Sequence, residues 1–169
     1  MNRREEIKQA IYDALVGKTD VGASVYVSRV RRFGLEEFPN ITIYVPKETV
    51  EKQSVCDDHY LISAIVQIDV LTELVEDFER QLDGICSRVE DLLLSRDPRT
   101  WIPYAEDFTY QDTEVFLYGS DNRQTTAVAT MSFLLSYNAV AFNGDTTDPD
   151  YPAQPGDLLT VELENHIEG

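Results

Sequence analysis

Cys56, Asp57, Asp58 and His59 form the one stretch of this chain whose residue types and spacing look like a ligand set. A Cys-x-x-His pair is half of a tetrahedral zinc site, and two more soft ligands would have to come from elsewhere. The chain offers one other cysteine, Cys86, and one other histidine, His166. Cys86 falls on the apolar stripe of a predicted helix, and His166 lies near the end of the sequence. A polar loop explains the cluster better than a metal. A Cys–His nucleophile pair fares no better, because no third group stands ready to orient it. The carboxylates Glu76, Asp77, Glu79, Glu90 and Asp91 fall on solvated helix faces rather than in acid–base pairs. Asp145, Asp148 and Asp150 lack the glycine and the terminal glutamate of a calcium loop. Gly17, Gly22 and Gly34 are isolated, so no phosphate-cradling loop occurs. The expectation is a protein without cofactor or metal, not an enzyme, whose work is shape and contact.

Composition narrows the partners. The chain has 169 residues, the size of one domain, and 43% of them are apolar, enough for a core. Acidic residues number 31 against 14 basic ones, a formal charge of −17. That balance excludes a binder that works by neutralising phosphates, and equally an anionic membrane surface. No apolar run is long enough to span a bilayer. The first ten residues lack the apolar stretch of a secretory signal, which predicts assembly in a cytosol with both cysteines reduced. The charge is polarised. Residues 1–32 hold seven basic residues against four acidic, whereas no Lys or Arg follows Arg123. A basic end and an acidic body could dock head to tail between copies. Acidity that merely keeps the surface soluble is the plainer explanation.

The elements follow from periodicity. Ile7, Ala10, Ile11, Ala14 and Leu15 recur at the helical period, predicting a helix over 3–16 capped by Asn2 and ended at Gly17. Residues 24–30 and 40–45 read as strands, the second ended by Pro46. Residues 46–59 read as a long polar loop, expected to be mobile until a neighbour orders it. Residues 60–71 form a long strand with Ile62, Ala64, Val66, Ile68 and Val70 on one face; Leu61 and Ile65 share the other with Ser63, Gln67 and Asp69. Phe78, Leu82, Ile85, Val89, Leu92 and Leu93 mark a helix over 75–95, about 30 Å long. Residues 107–118 and 124–138 form a hairpin-like pair. In the first of these, Phe108, Tyr110, Phe116 and Tyr118 share a phase with Asp112 and Glu114. Short links between strands predict an α+β fold: a mostly antiparallel sheet of about five strands with two helices packed on one face. Residues 1–138 make the domain, and 139–169 an irregular acidic C-terminal extension, in which 158–163 could add a short strand.

The order of elements has a likeness. The helix Arg4-Glu5-Glu6-Ile7-Lys8-Gln9-Ala10-Ile11-Tyr12-Asp13-Ala14-Leu15 is followed by a Pro-led strand, Phe38-Pro39-Asn40-Ile41-Thr42-Ile43-Tyr44-Val45. Then come a polar loop, the strand Leu61 to Leu71, and a helix containing Leu82-Asp83-Gly84-Ile85-Cys86-Ser87-Arg88-Val89-Glu90. Last is a strand pair with Asp121 and Arg123 between Tyr118 and Ser136-Tyr137. Over roughly residues 3–138 this resembles the tail terminator proteins of long-tailed bacteriophages, the family of the minor tail protein U of lambda-like phages.

The resemblance implies a structural virion protein of the tail and neck, assembled in the host cytoplasm. Six copies would form a ring on the finished tail tube, stop its polymerisation and offer a surface to the head–tail connector. The genomic DNA would pass through the lumen without specific binding, eased by an acidic wall. A ring needs a heterologous interface. Arg29, Arg31 and Arg32, at a strand end and turn, are the candidates for its basic patch. Lys47, Glu48, Glu51, Lys52, Asp57 and Asp58, in the polar loop, are candidates for subunit or tube contact. Two alternatives remain open: another neck ring protein, for head closure or tail completion, and an acidic DNA mimic that blocks a nucleic-acid enzyme. The partner distinguishes the first, and a monomeric or dimeric state the second.

Overall fold

The computed structural model describes residues 2–29, 37–53, 59–120 and 123–140. Helix α1 spans Arg3–Leu15. The side chain of Asn2 accepts the Arg4 N–H at 3.0 Å, and Glu5 and Glu6 fill the first turn, where carboxylates complement the helix dipole. Ile7, Ile11 and Leu15 are fully buried. Past the helix, Gly17 takes the left-handed conformation (φ +68°) and donates its N–H to Gly22 at 2.8 Å, as the sequence predicts for a helix stop.

The chain then builds strands β1 (Val25–Val27), β2 (Asn40–Lys52) and β3 (His59–Glu73), and helix α2 (Phe78–Leu94). A 3-10 turn at Pro98–Thr100, capped by Asp97, leads into β4 (Ala105–Ser120) and β5 (Arg123–Val140). The sheet order is β1-β2-β3-β5-β4; β1 runs parallel to β2 and every other pair is antiparallel. This is the predicted α+β sandwich, with both helices on one face. Ile7 and Ile11 of α1 and Leu82, Ile85, Val89 and Leu93 of α2 close over Ile43, Val66, Ile68, Met131 and Phe133 in one core. Burial of these side chains is the main stabilising term.

Three sequence expectations need correction. Pro46 does not end its strand. It sits in a register shift between Tyr44 and Lys47, where two residues of β2 oppose one of β3, so the missing N–H costs the ladder nothing. Strand β2 therefore continues to Lys52, and β3 starts at His59. Of the expected loop 46–59, residues 46–52 and 59 are paired strand, while 54–58 lie outside the described residues. Second, β5 runs to Val140, so 139 and 140 belong to the sheet; 141–169, with the possible strand at 158–163, lie outside the described residues. Third, the even-numbered side chains of β4 do not share one face. Tyr110 pairs with Phe133 and Asp112 with Ser132, leaving Gln111 as an extra residue. Phe108 and Tyr110 consequently face the helices, Phe108 stacked on Phe133 and Tyr110 edge-on to it, while Asp112, Glu114, Phe116 and Tyr118 face the opposite side.

Candidate assembly interface

Among the described residues no helix covers the other sheet face, although Asn40, Thr42 and Val128 on it are buried. On it, Asp69 accepts hydrogen bonds from Gln67 (3.1 Å) and Thr130 (2.9 Å) at the centre. Leu61, Ile65 and Leu134 lie half-buried toward one end; toward the other, Leu71 is half-buried, Val128 buried and Phe116 exposed. Among the side chains described, the charges of β2–β5 on this side are Glu51, Asp69, Glu73, Glu106, Asp107, Asp112 and Glu114 against Lys47.

Among the described residues, both sheet edges are unpaired over part of their length. On one side β1 pairs only with residues 41–43 of β2. From Lys47 to Lys52, β2 has no strand beside it among the described residues. The Gln53 N–H donates inward to His59 at 3.0 Å. By the two-residue period, Glu48, Val50 and Lys52 turn their backbone amides to the open edge. This segment is braced from the helix side: Glu48 accepts from Arg4 Nε of α1 and, at 3.1 Å, from the Tyr137 hydroxyl of β5. Burial, and then the Glu48 carboxylate, push the Tyr137 phenol above its ordinary range. Tyr104, edge-on to Tyr137 at 5.3 Å with Arg3 over its ring, is pushed up to about 12, chiefly by burial.

On the other side β4 is the last strand. Past the Gln111 bulge, where Thr113 and Val115 still border Cys86 and Glu90 of α2, it exposes apolar side chains on both faces: Val115 and Leu117 on the helix side, Phe116 and Tyr118 on the opposite side. Tyr118 is 56% exposed and Val115 54%. Sequence reasoning missed this arm. Its signal is the unbroken apolar run Val115-Phe116-Leu117-Tyr118, which violates the alternation of a strand with one buried face.

The predicted contact residues divide. Lys47, Glu48, Glu51 and Lys52 come together on the open edge of β2, with Lys47 and Glu51 toward the face without helices. Lys52 Nζ lies 6.0 Å from the Tyr60 ring. Arg29 is not an outward patch: its guanidinium pairs with Glu37 at 2.6 Å and lies over the Tyr26 ring at 4.4 Å, leaving 13% of the side chain exposed. The bond to Glu37 raises its pKa. The reason is local. The Arg29 carbonyl accepts the Tyr44 hydroxyl, which holds the segment after β1 against β2. Arg31, Arg32, Asp57 and Asp58 lie outside the described residues, as does Cys56. Cys86 is buried, and burial followed by Asp83 and Glu90 pushes its thiol up to about 12.

Beside the β2 bulge, an open groove of about 550 Å³ runs between Arg4, Lys8 and Ser28 on one side and Tyr44, Pro46 and Asp69 on the other. Lys8 is already committed, donating to Glu5 and, at 3.0 Å, to Ser28, which holds the left-handed conformation (φ +51°). Among the described residues no three His, Cys, Asp or Glu side chains converge as a metal site, and no helix is long and apolar enough to cross a membrane.

Fold and edges together define a class: a two-layer α+β domain that, among the described residues, has an acidic sheet face without helices and an unpaired edge on each side. No family model matches the chain, and no curated protein matches it.

Proposed function

We propose that this chain is a structural ring protein of a phage tail, a terminator that caps the tail tube, stops its growth and presents a surface for head attachment. The observation that carries the reading is the edge left unpaired among the described residues on each side of a sheet whose other boundary, the helix layer, is closed. A heterologous ring needs two different surfaces on opposite sides of the subunit, and the edges of β2 and β4 meet that requirement. The sheet face without helices, with seven carboxylates against Lys47 among the side chains described, suits a lumen wall past which DNA phosphates slide without sticking. Six copies are the number the family resemblance implies. On this reading the partners are further copies of the chain, the tail tube protein and the head–tail connector. The protein performs no reaction and uses no cofactor.

Electron microscopy of the purified protein at high concentration tests the first half: rings with a central hole are expected. Tail tube protein polymerised with and without this chain tests the second, since tubes of limited length should appear only when it is present. Rings that bind portal complexes and leave tube length unchanged would replace the terminator with another neck ring protein. A monomer that binds a nucleic-acid enzyme and forms no ring would overturn both.

A further inference from the structure

We infer that neighbouring copies join by strand addition: the β4 arm of one chain, Thr113–Tyr118, pairs antiparallel with the open edge of β2, Lys47–Lys52, in the next. Three observations support this. The first is direction. Strands β2, β3, β5 and β4 alternate in sense, so β2 and β4 run opposite ways. When copies repeat side by side around an axis, with the same sheet face inward, β4 of one copy meets β2 of the next antiparallel, the more stable pairing. Pairing a β4 edge with another β4 edge would instead make a closed two-fold dimer and stop.

The second is the state of the two edges. The β4 arm exposes apolar side chains on both faces, a condition that isolated edge strands avoid with charge, proline or cover. Val115 and Leu117 stand on the helix side, the side on which Val50 of β2 is exposed without cover. Pairing would set these apolar residues side by side on one face of a continued sheet.

The third is charge. Strand β4 carries Glu106, Asp107, Asp112 and Glu114 and no basic residue. The open stretch of β2 carries Lys47 and Lys52 against Glu51 and Glu48, the latter already engaged by Arg4 and Tyr137. Opposite charges set the direction of docking, and the apolar contact supplies the affinity.

This pairing deepens the ring reading and rests on it only for closure into a ring. The test uses two variants of the whole chain, each blocking one edge. Val50→Pro removes an amide that points to the edge with no strand beside it among the described residues, and Phe116→Asp with Tyr118→Asp places charges on the arm. Sedimentation should show that each weakens self-association at least about tenfold, the effect of losing one or two well-made contacts. Mixed one to one, they should form a heterodimer through the one intact pair of edges and go no further. Because proline can disturb the strand, Lys52→Glu serves as a second block of the β2 edge, and Lys52→Glu mixed with Thr113→Lys, the position opposite it on the helix side, should recover association. Either blocked variant assembling like the parent, or a mixture that stays monomeric, would overturn the pairing. A tube-length assay keeps the two readings apart. Rings that persist in both variants and still limit tubes would sink the edge pairing alone. Parent rings that depend on both edges but leave tube length unchanged would sink the terminator reading alone.

Discussion

The Tyr137 hydroxyl donates to Glu48 at 3.1 Å, and through that bond the far end of β5 holds the part of β2 that lies beyond the Pro46 bulge. Arg4 of α1 donates to the same carboxylate. One glutamate thus ties a helix and a distant strand to residues 47–52, which pair with β3 on one side and have no strand on the other among the described residues.

Replacing Tyr137 with Phe removes this bond and little else. The expected loss is about 0.5–1.5 kcal/mol of folding stability, measured by denaturant melts. The change should also alter the alkaline limb of the stability curve. The folded phenol is raised above the ordinary 10.0 by burial and Glu48, so the unfolded chain releases its proton first as pH rises. Stability from this group is whole below pH 10 and falls as pH climbs toward the folded value. Melting temperatures between pH 8 and 11 should therefore drop less steeply in Tyr137→Phe than in the parent.

Two phenylalanines of the same strand pair should answer truncation differently. Phe133 is fully buried, stacked on Phe108 at 5.2 Å and edge-on to Tyr110 at 5.7 Å. Phe133→Ala should cost about 3–5 kcal/mol. Phe116 is 40% exposed on the arm, and Phe116→Ala should change monomer stability by no more than about 0.5 kcal/mol while reducing self-association. Calorimetry and sedimentation on the two variants separate the effects. A large loss of monomer stability in Phe116→Ala would show that the arm packs within its own chain.

Arg29→Glu should lower the melting temperature and leave association untouched, because the guanidinium is spent on Glu37 and Tyr26 inside the chain. Reversing Glu37 to Lys in the same background should recover part of the loss. Weakened association in a variant with an unchanged melting temperature would return Arg29 to the interface.

The Cys86 thiol, buried and pushed up to about 12, should resist alkylation at neutral pH until the chain unfolds. Mass spectrometry of the Cys86 peptide after timed iodoacetamide exposure reads this out. Labelling within minutes in native buffer would contradict the packing of α2.

What the sequence makes legible here is what burial writes into it. The stripe Leu82, Ile85, Val89 and Leu93 and the alternation from Ile62 to Val70 both report a single buried face, and both elements fold as their periods predict. Residues 47–52 bury little on either side, so no pattern marks them as strand. The two bulges are silent for a related reason: each shifts the phase by one residue, and a period cannot be read across such a shift. The interface suffered most. The arginines that drew attention by charge include one that is internally paired, whereas the β4 arm announced itself only by a run of four apolar residues that no core required.

The Gln111 bulge has a consequence for insertions and deletions. Which way Asp112 through Tyr118 face is decided by their partners on β5, Ser132 through Thr126, rather than by counting from Tyr110. Removing Gln111 would leave each of those partnerships as it stands and would only relax the local bend. Position 111 can therefore absorb the gain or loss of a residue that would invert a side-chain pattern elsewhere in the sheet. The angle at which the arm projects and the chemistry it displays are encoded separately, so its reach can drift while its surface stays the same.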